Sequence, residues 1–189
     1  MSPAGRRASA GRFRARWVFL SAGFVILQVM LILTGTGTVP LPTNIHVTIL
    51  ELPAVLAAIL VDPIAGLLVG ATFGLISFAG ATTPLFQNPL IAIGPRLVIG
   101  IVAYGVYRGV RPVNDVVALA AAGAAGAVAN TGLVLLLAAV VPAGGGITFL
   151  PPSVAWTVAS TTLPSEAAVA AVLSAVLGTV LRSGIDRLR

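Results

Sequence analysis

Long apolar segments alternate along this chain with short polar or turn-rich segments. Six apolar segments are interpreted as membrane-spanning helices, at 17–33, 45–61, 64–79, 90–107, 116–141 and 154–181. Asp62-Pro63 separates the second from the third, because the residue before a proline is pushed out of the helical region. Pro164 is expected to break the sixth helix. The segments lack the alternation of a β-barrel, so the pattern predicts an all-α bundle of six transmembrane helices.

Composition agrees with a membrane protein. The 189 residues are 58% hydrophobic and only 8% charged, whereas about a quarter of the residues in a soluble domain are charged. We therefore expect one integral membrane bundle.

The positions of the arginines predict the orientation. Ten of the eleven basic residues, all of them arginine, lie in 1–16, 107–115 or 182–189. Positive residues flank the cytoplasmic ends of membrane helices, so both termini should be cytoplasmic. The predicted division is a basic N-terminal segment at 1–16, a membrane domain at 17–181 and a cytoplasmic tail at 182–189. A signal peptide is the alternative for the first segment, but its apolar run is long and no clear cleavage site follows.

Arg96 is the exception, since it lies inside the fourth apolar segment. A charged side chain at the centre of a membrane helix costs about 2.5–3.5 kcal/mol on insertion scales and usually marks a functional site. It could bind an anionic ligand, pair with an internal carboxylate or reach a headgroup.

Other polar residues occur in or beside the spans, and the predicted topology places His46, Glu51 and Arg96 in the outer half of the membrane and Glu166 nearer its midplane. Glu51 and Glu166 could contact a ligand or serve as counter-ions of Arg96, and Asn130 could contact a ligand or another helix. His46, Gln87 and Asn88 lie near outer helix ends. If these faces converge, they line a polar pocket that opens outward.

A stripe of glycines marks the third predicted span. Gly66, Gly70 and Gly74 repeat at four-residue spacing, which places a bare backbone surface on one helix face. This face could pack within the bundle or against another membrane subunit.

Enzymatic chemistry finds little support in the sequence. A phosphate-binding loop of the G-x-x-x-x-G-K type is impossible without lysine, and no G-x-S-x-G motif occurs. One histidine and no cysteine make a metal centre improbable, and no nucleic-acid-binding module is recognisable. We expect neither catalysis nor a metal or cofactor, and no nucleic-acid partner.

Four stretches carry a family resemblance. The chain contains HVTILELPAVLAAILVDPIAGLLVGATFGLISF, then FQNPLIAIGPRLVIG, then NTGLVL and finally SEAAVAAVL. It resembles the substrate-binding S components of energy-coupling-factor (ECF) transporters over about residues 45–181. Pro95-Arg96 following Asn-Pro is the most specific feature, and the pantothenate-type members are the most similar.

The resemblance implies a high-affinity vitamin binder of the plasma membrane, expected in a bacterium. Substrate is captured from outside and released inside with a transmembrane coupling subunit and two ATPases. Arg96 would bind the carboxylate of pantothenate, and Gln87, Asn88, His46 and Asn130 its hydroxyl and amide groups. The Ala-x-x-x-Ala docking pattern of the family is absent from the first span. The candidate docking residues are therefore Ser21, Ala22 and Gly23, or Gly66, Gly70 and Gly74.

Two other functions stay open at this stage. One is a self-sufficient secondary transporter or channel in which Glu51, Arg96 and Glu166 form an ion relay. The other is a membrane-embedded enzyme that acts on lipid, with His46 and Glu51 in its site.

Overall fold

The computed structural model describes residues 3–40, 46–142 and 149–187. Within these ranges the chain is almost entirely helical, as predicted. The elements in order are α1 Pro3–Leu33, β1 Thr38–Pro40, β2 His46–Thr48, α2 Leu52–Leu60, α3 Pro63–Ala79, a 3₁₀ helix Pro84–Gln87, α4 Pro89–Val110, α5 Asp115–Val140 and α6 Pro152–Arg187.

Long apolar helices dominate the architecture. By length and composition, four helices among the described residues could cross a membrane: Ala15–Leu33 within α1, and the whole of α4, α5 and α6. They coincide with the first, fourth, fifth and sixth predicted spans. Helix α3 is apolar but has 17 residues, about 26 Å at the helical rise of 1.5 Å per residue.

The second predicted span is not a continuous helix, so that prediction was wrong. Residues His46–Thr48 form a strand that pairs antiparallel with β1, with Thr38 opposite Thr48. Helix α2 has nine residues, or about 14 Å, against a membrane core of about 30 Å. Val and Thr favour the extended pair, and Pro53 near the first helical position starts the helix late.

Pro164 does not break α6, which is a second correction. Helix α6 continues through Pro164 from Pro152 to Arg187. Membrane helices tolerate an internal proline where Ser and Thr side chains and local adjustments satisfy the freed backbone groups.

Helix α2, the shortest α-helix of the described residues, occupies the centre of the bundle. All residues from Leu52 to Ala58 in α2 are buried, and α2 contacts α1, α3, α4, α5 and α6. Around it, α4 packs against α3 and α5, and α5 packs against α6.

The glycine stripe of α3 faces the inside of the bundle. A Cβ at Gly66 would lie 2.5 Å from Ala58 Cβ, and one at Gly74 would lie 2.9 Å from Ile93 Cα. A Cβ at Gly70 would meet the carbonyl oxygen of Arg96. The glycine stripe therefore packs within the bundle, where it allows α3 to lie close to α2 and α4.

The predicted N-terminal segment is mostly continuous with the first span. Helix α1 begins at Pro3 and runs without interruption to Leu33. The side chains of residues 1–14 lie outside the described residues. The division at 16/17 and 181/182 stays a prediction.

Candidate functional site

A cavity of about 380 Å³ lies between α3, α4, α5 and α6, near the ends at which α4 and α6 begin. We call it the Arg96 cavity. Its polar wall contains Arg96, Asn130, Thr131, Thr162 and Glu166, and Thr48 and Leu50 line it beside β2. A concave, mostly apolar site with a few converging polar groups is typical of small-molecule binding.

Arg96 is held by contacts that leave donors of its guanidinium unused. The side chain is 5% exposed, and Nη1 donates to the Ile91 carbonyl at 2.9 Å. Its Nε has no hydrogen-bond partner among the described residues. A buried guanidinium with unused N–H donors is a site for a carboxylate or phosphate.

Two aromatic rings flank the guanidinium. The Arg96 Cζ atom lies 5.1 Å from the centroid of Phe73 and 4.8 Å from that of Phe86. Cation–π contacts of this length stabilise a desolvated cation. They also orient the planar guanidinium, so the arginine is kept in position before a ligand binds.

Backbone contacts of α4 determine where Arg96 lies. Asn88 caps this helix through Oδ1, which accepts from the Leu90 N–H at 2.9 Å, and Pro89 occupies the first helical position. Gly70 lets the backbone of α3 approach the carbonyl of Arg96 closely. Two local features of the sequence thus fix where the guanidinium lies.

The part of the lining that belongs to α5 and α6 presents hydrogen-bond acceptors. Glu166 is 4% exposed, and its Oε2 accepts from Thr131 Oγ1 at 2.6 Å. The Asn130 side chain is 3% exposed, and its Oδ1 has no partner within the described ranges. The cavity therefore has a cationic donor from α4 and acceptors from α5 and α6.

Glu51 lies behind the cavity and not on its surface. It is fully buried, and neither carboxylate oxygen has a hydrogen-bond partner in the described part of the chain. It is within electrostatic range of both Arg96 and Glu166. Glu51 is therefore a buried neighbour of the site and does not line the cavity.

Three other predicted residues have different places. Gln87 is exposed on the 3₁₀ helix and does not line the cavity. Asn88 caps α4, and its Nδ2 donates to the Pro142 carbonyl at 2.9 Å. His46 belongs to β2, but its side chain lies outside the described residues.

Sequence reasoning missed several lining residues. Phe73 and Phe86 are ordinary apolar residues by sequence, and nothing marks them as partners of a cation. Thr131 follows Asn130, and Thr162 precedes Glu166 by one helical turn. Hydroxyl residues one position or one turn from a predicted polar residue would have been the usable signal.

Metal chemistry finds no support in this geometry. The described residues contain no group of three or more His, Cys, Asp or Glu side chains placed to hold a metal ion. The Arg96 cavity can bind a small polar molecule by charge and hydrogen bonds.

The comparison with known families agrees with a protein that lies in the membrane and binds a small molecule. A family model described as "ECF transporter, substrate-specific component" matches residues 18–182. A comparison with the curated proteins finds no match.

Proposed function

Because the chain belongs to the substrate-specific components of ECF transporters, we propose that it binds a small anionic vitamin such as pantothenate in the Arg96 cavity. The family makes it a multi-pass membrane protein and the substrate-binding subunit of an ECF importer, without enzymatic activity. Such subunits work with a coupling subunit and ATPases. This assignment replaces the ion-relay and lipid-enzyme alternatives. A bacterial plasma membrane is the proposed location.

The observation that carries the proposal is the buried Arg96 guanidinium at the cavity wall. Within the described residues its hydrogen bond goes to a backbone carbonyl, and its flanking groups are aromatic rings. A ligand carboxylate can therefore take the free N–H donors in a bidentate arrangement. Calorimetric titration of the purified protein with acidic and neutral vitamins tests this. Binding of neutral vitamins alone would refute it.

The acceptor wall suggests what the rest of the ligand carries. Asn130 and Glu166 both line the cavity, and Asn130 Oδ1 has no hydrogen-bond partner among the described residues, so this lining suits a ligand that carries a hydroxyl or an amide N–H. Pantothenate has its carboxylate at one end and its hydroxyls at the other, with an amide between them. The lining thus fits a ligand with an acid at one end and donors at the other.

Replacing Glu166 with glutamine tests the acceptor wall. We expect Glu166→Gln to weaken vitamin binding about tenfold, since a hydrogen bond to a charged group contributes about 1.5–3 kcal/mol and glutamine retains only part of it. Isothermal titration calorimetry measures the change, with Thr179→Val on the exposed face of α6 as the control. Tighter binding in Glu166→Gln would mean that Glu166 repels the ligand and would contradict the assignment.

We also propose that the chain crosses the membrane six times with both termini in the cytoplasm. Thr48 and Leu50 line the Arg96 cavity, whereas Ile59 to Asp62 line a cavity at the other end of α4 and α6. The stretch between them therefore connects the two cavities. The second crossing then consists of β2, the following turn and α2.

Cysteine labelling tests this topology, because the chain has no cysteine of its own. We expect a membrane-impermeant maleimide to label Thr36→Cys in intact cells, and to label Val113→Cys only after the membrane is opened. Both positions are exposed. If β2 and α2 do not form a crossing, both cysteines react from the same side, which would contradict six spans.

For the coupling subunit we propose docking on α1 at Ala22 and Gly23. Both residues are exposed, and a Cβ at Gly23 would have none of the described atoms within 4 Å. Ser21 points inward, since it is 5% exposed. The glycines of α3 are already used inside the bundle, so α1 offers the small-residue surface that is accessible.

A bulky residue at this surface should interfere with assembly. We expect Gly23→Leu to lower the yield of complex co-purified with coupling subunit and ATPases at least about fivefold, because small residues allow close helix contact. Vitamin affinity should stay unchanged. Gly105→Leu on α4, also exposed and without described atoms near its Cβ position, is the control. Equal yields for the two variants would place docking elsewhere.

A further inference from the structure

A second cavity of about 530 Å³ lies where α2, α4 and α6 end. We call it the Arg108 cavity. Arginines and tyrosines form its polar wall, namely Tyr104, Tyr107, Arg108, Arg111 and Arg182, and Asp62 and Asp186 also line it. The apolar part is formed by Ile59, Leu60, Val61 and Ile185. It is separate from the Arg96 cavity and shares none of its lining residues.

The carboxylates around the Arg108 cavity already have partners. Asp115 accepts from Tyr107 Oη at 2.6 Å and forms an ion pair with Arg182. Asp62 Oδ1 accepts from the Ala65 N–H at 2.9 Å, and its Oδ2 accepts from Trp17 Nε1. Asp186 also has an interaction partner. Little acceptor capacity is left for a ligand cation.

The arginines at the end of α4 retain donors. Arg108 lies over the Tyr104 ring at 5.9 Å, and no carboxylate of the described residues forms an ion pair with it. Arg111 lies over the Tyr107 ring at 5.8 Å, and its contact with Asp115 is 3.6 Å long. Arg108 and Arg111 are three positions apart, so they lie on neighbouring positions of one helix face. The groups of this cavity that can still bind a ligand are thus the N–H donors of its arginines, and they suit an anion.

We propose that the Arg108 cavity binds the phosphate of an anionic phospholipid headgroup. Helices α4 and α6 are long and apolar enough to cross a membrane, so on the proposed topology the ends that form the cavity lie near the membrane surface. Two arginines attract a phosphate group by charge, and each can donate to its oxygens in a bidentate arrangement. Tyrosine is common at this depth, and the apolar wall can receive the glycerol and upper acyl chain. The proposal does not depend on which vitamin occupies the Arg96 cavity.

Native mass spectrometry of the detergent-purified full chain tests this. The probes are phosphatidylglycerol, phosphatidylcholine and inorganic phosphate, added in separate titrations. We expect adducts with phosphatidylglycerol in preference to phosphatidylcholine. The double variant Arg108→Gln/Arg111→Gln should lower the apparent phosphatidylglycerol affinity at least about tenfold, which corresponds to loss of about 1.4 kcal/mol. Arg187→Gln, an exposed arginine on the same end of α6 that does not line the cavity, should leave it unchanged.

Other results would overturn the proposal. Equal binding of the two lipids, or equal loss in Arg187→Gln, would mean that the arginines attract anions only through their general charge. Thermal stabilisation by inorganic phosphate equal to that by phosphatidylglycerol would point to a soluble phosphate compound instead of a lipid. If the double variant is unstable without lipid, Arg108→Gln alone serves, because Arg108 has no ion pair within the described residues. An unchanged affinity in that variant would also refute the proposal.

Discussion

Replacing Arg96 with glutamine should weaken binding of an acidic vitamin by about 30- to 5,000-fold, because truncating one partner of a buried charge pair costs about 2–5 kcal/mol. The guanidinium is almost fully buried. Among the described residues that line the cavity, it is the group with a positive charge. Loss of the charge leaves the ligand carboxylate next to Glu51 and Glu166. Calorimetry on the purified variant measures the affinity.

Two further variants separate the charge of Arg96 from its shape. Arg96→Lys keeps the charge but loses the planar fork and the contact with two aromatic rings, so an intermediate affinity is expected. Arg187→Gln removes an exposed arginine far along α6 and should bind like the wild type. Thermal unfolding of each variant shows whether the fold is kept. Undiminished affinity in a folded Arg96→Gln variant would exclude the proposed anchor.

Replacing Gly70 with valine should have the largest effect on stability. A Cβ there would meet the backbone carbonyl oxygen of Arg96 and would lie 3.1 Å from its carbon. A backbone group cannot rotate away as a side chain can, so α3 and α4 must separate. We expect a loss of about 3 kcal/mol or more, at the upper end of the range for overpacked cores. The unfolding temperature in detergent measures it.

The same variant should also bind the vitamin weakly, because the displaced carbonyl belongs to Arg96 itself. Gly105→Ala is the matched control, since Gly105 lies on α4 and its Cβ position has no described atoms within 4 Å. Alanine there should be neutral or stabilising by up to about 1 kcal/mol, as expected from helix propensity. If Gly70→Val unfolds at the wild-type temperature, α3 and α4 do not pack as closely as described.

The long helices could be predicted because the signal is local. Helices α4, α5 and α6 each contain an apolar run sufficient for a membrane span, and their bounds differ from the predicted ones by a few residues. The structure of the second predicted span could not be predicted in this way, because a short apolar segment can form either a strand or a helix. Its first residues, His46–Thr48, form a strand, and its later residues form α2. The pairing of Thr38 with Thr48 depends on a partner strand that periodicity does not reveal.

The polar residues of the cavity could be predicted because polar and charged residues are rare in apolar helices. Arg96, Asn130 and Glu166 stand out as polar residues in apolar helices, and the structure places all three at one cavity. Phe73 and Phe86 do not stand out, since an aromatic residue in an apolar segment is usually a packing residue. Asn88 shows the converse error, because the same amide that could bind a ligand caps α4. Which helix the Gly70 face meets is likewise a tertiary property.

Mass spectrometry of small molecules released from the gently purified protein tests the proposed function most directly. A tight binder carries its ligand through purification, so we expect an acidic vitamin, with pantothenate as the leading candidate, and its loss from Arg96→Gln. A neutral or cationic vitamin in the released fraction would contradict an anionic substrate held by Arg96. The same conclusion would follow if the purified protein released no vitamin and if no acidic vitamin raised its unfolding temperature.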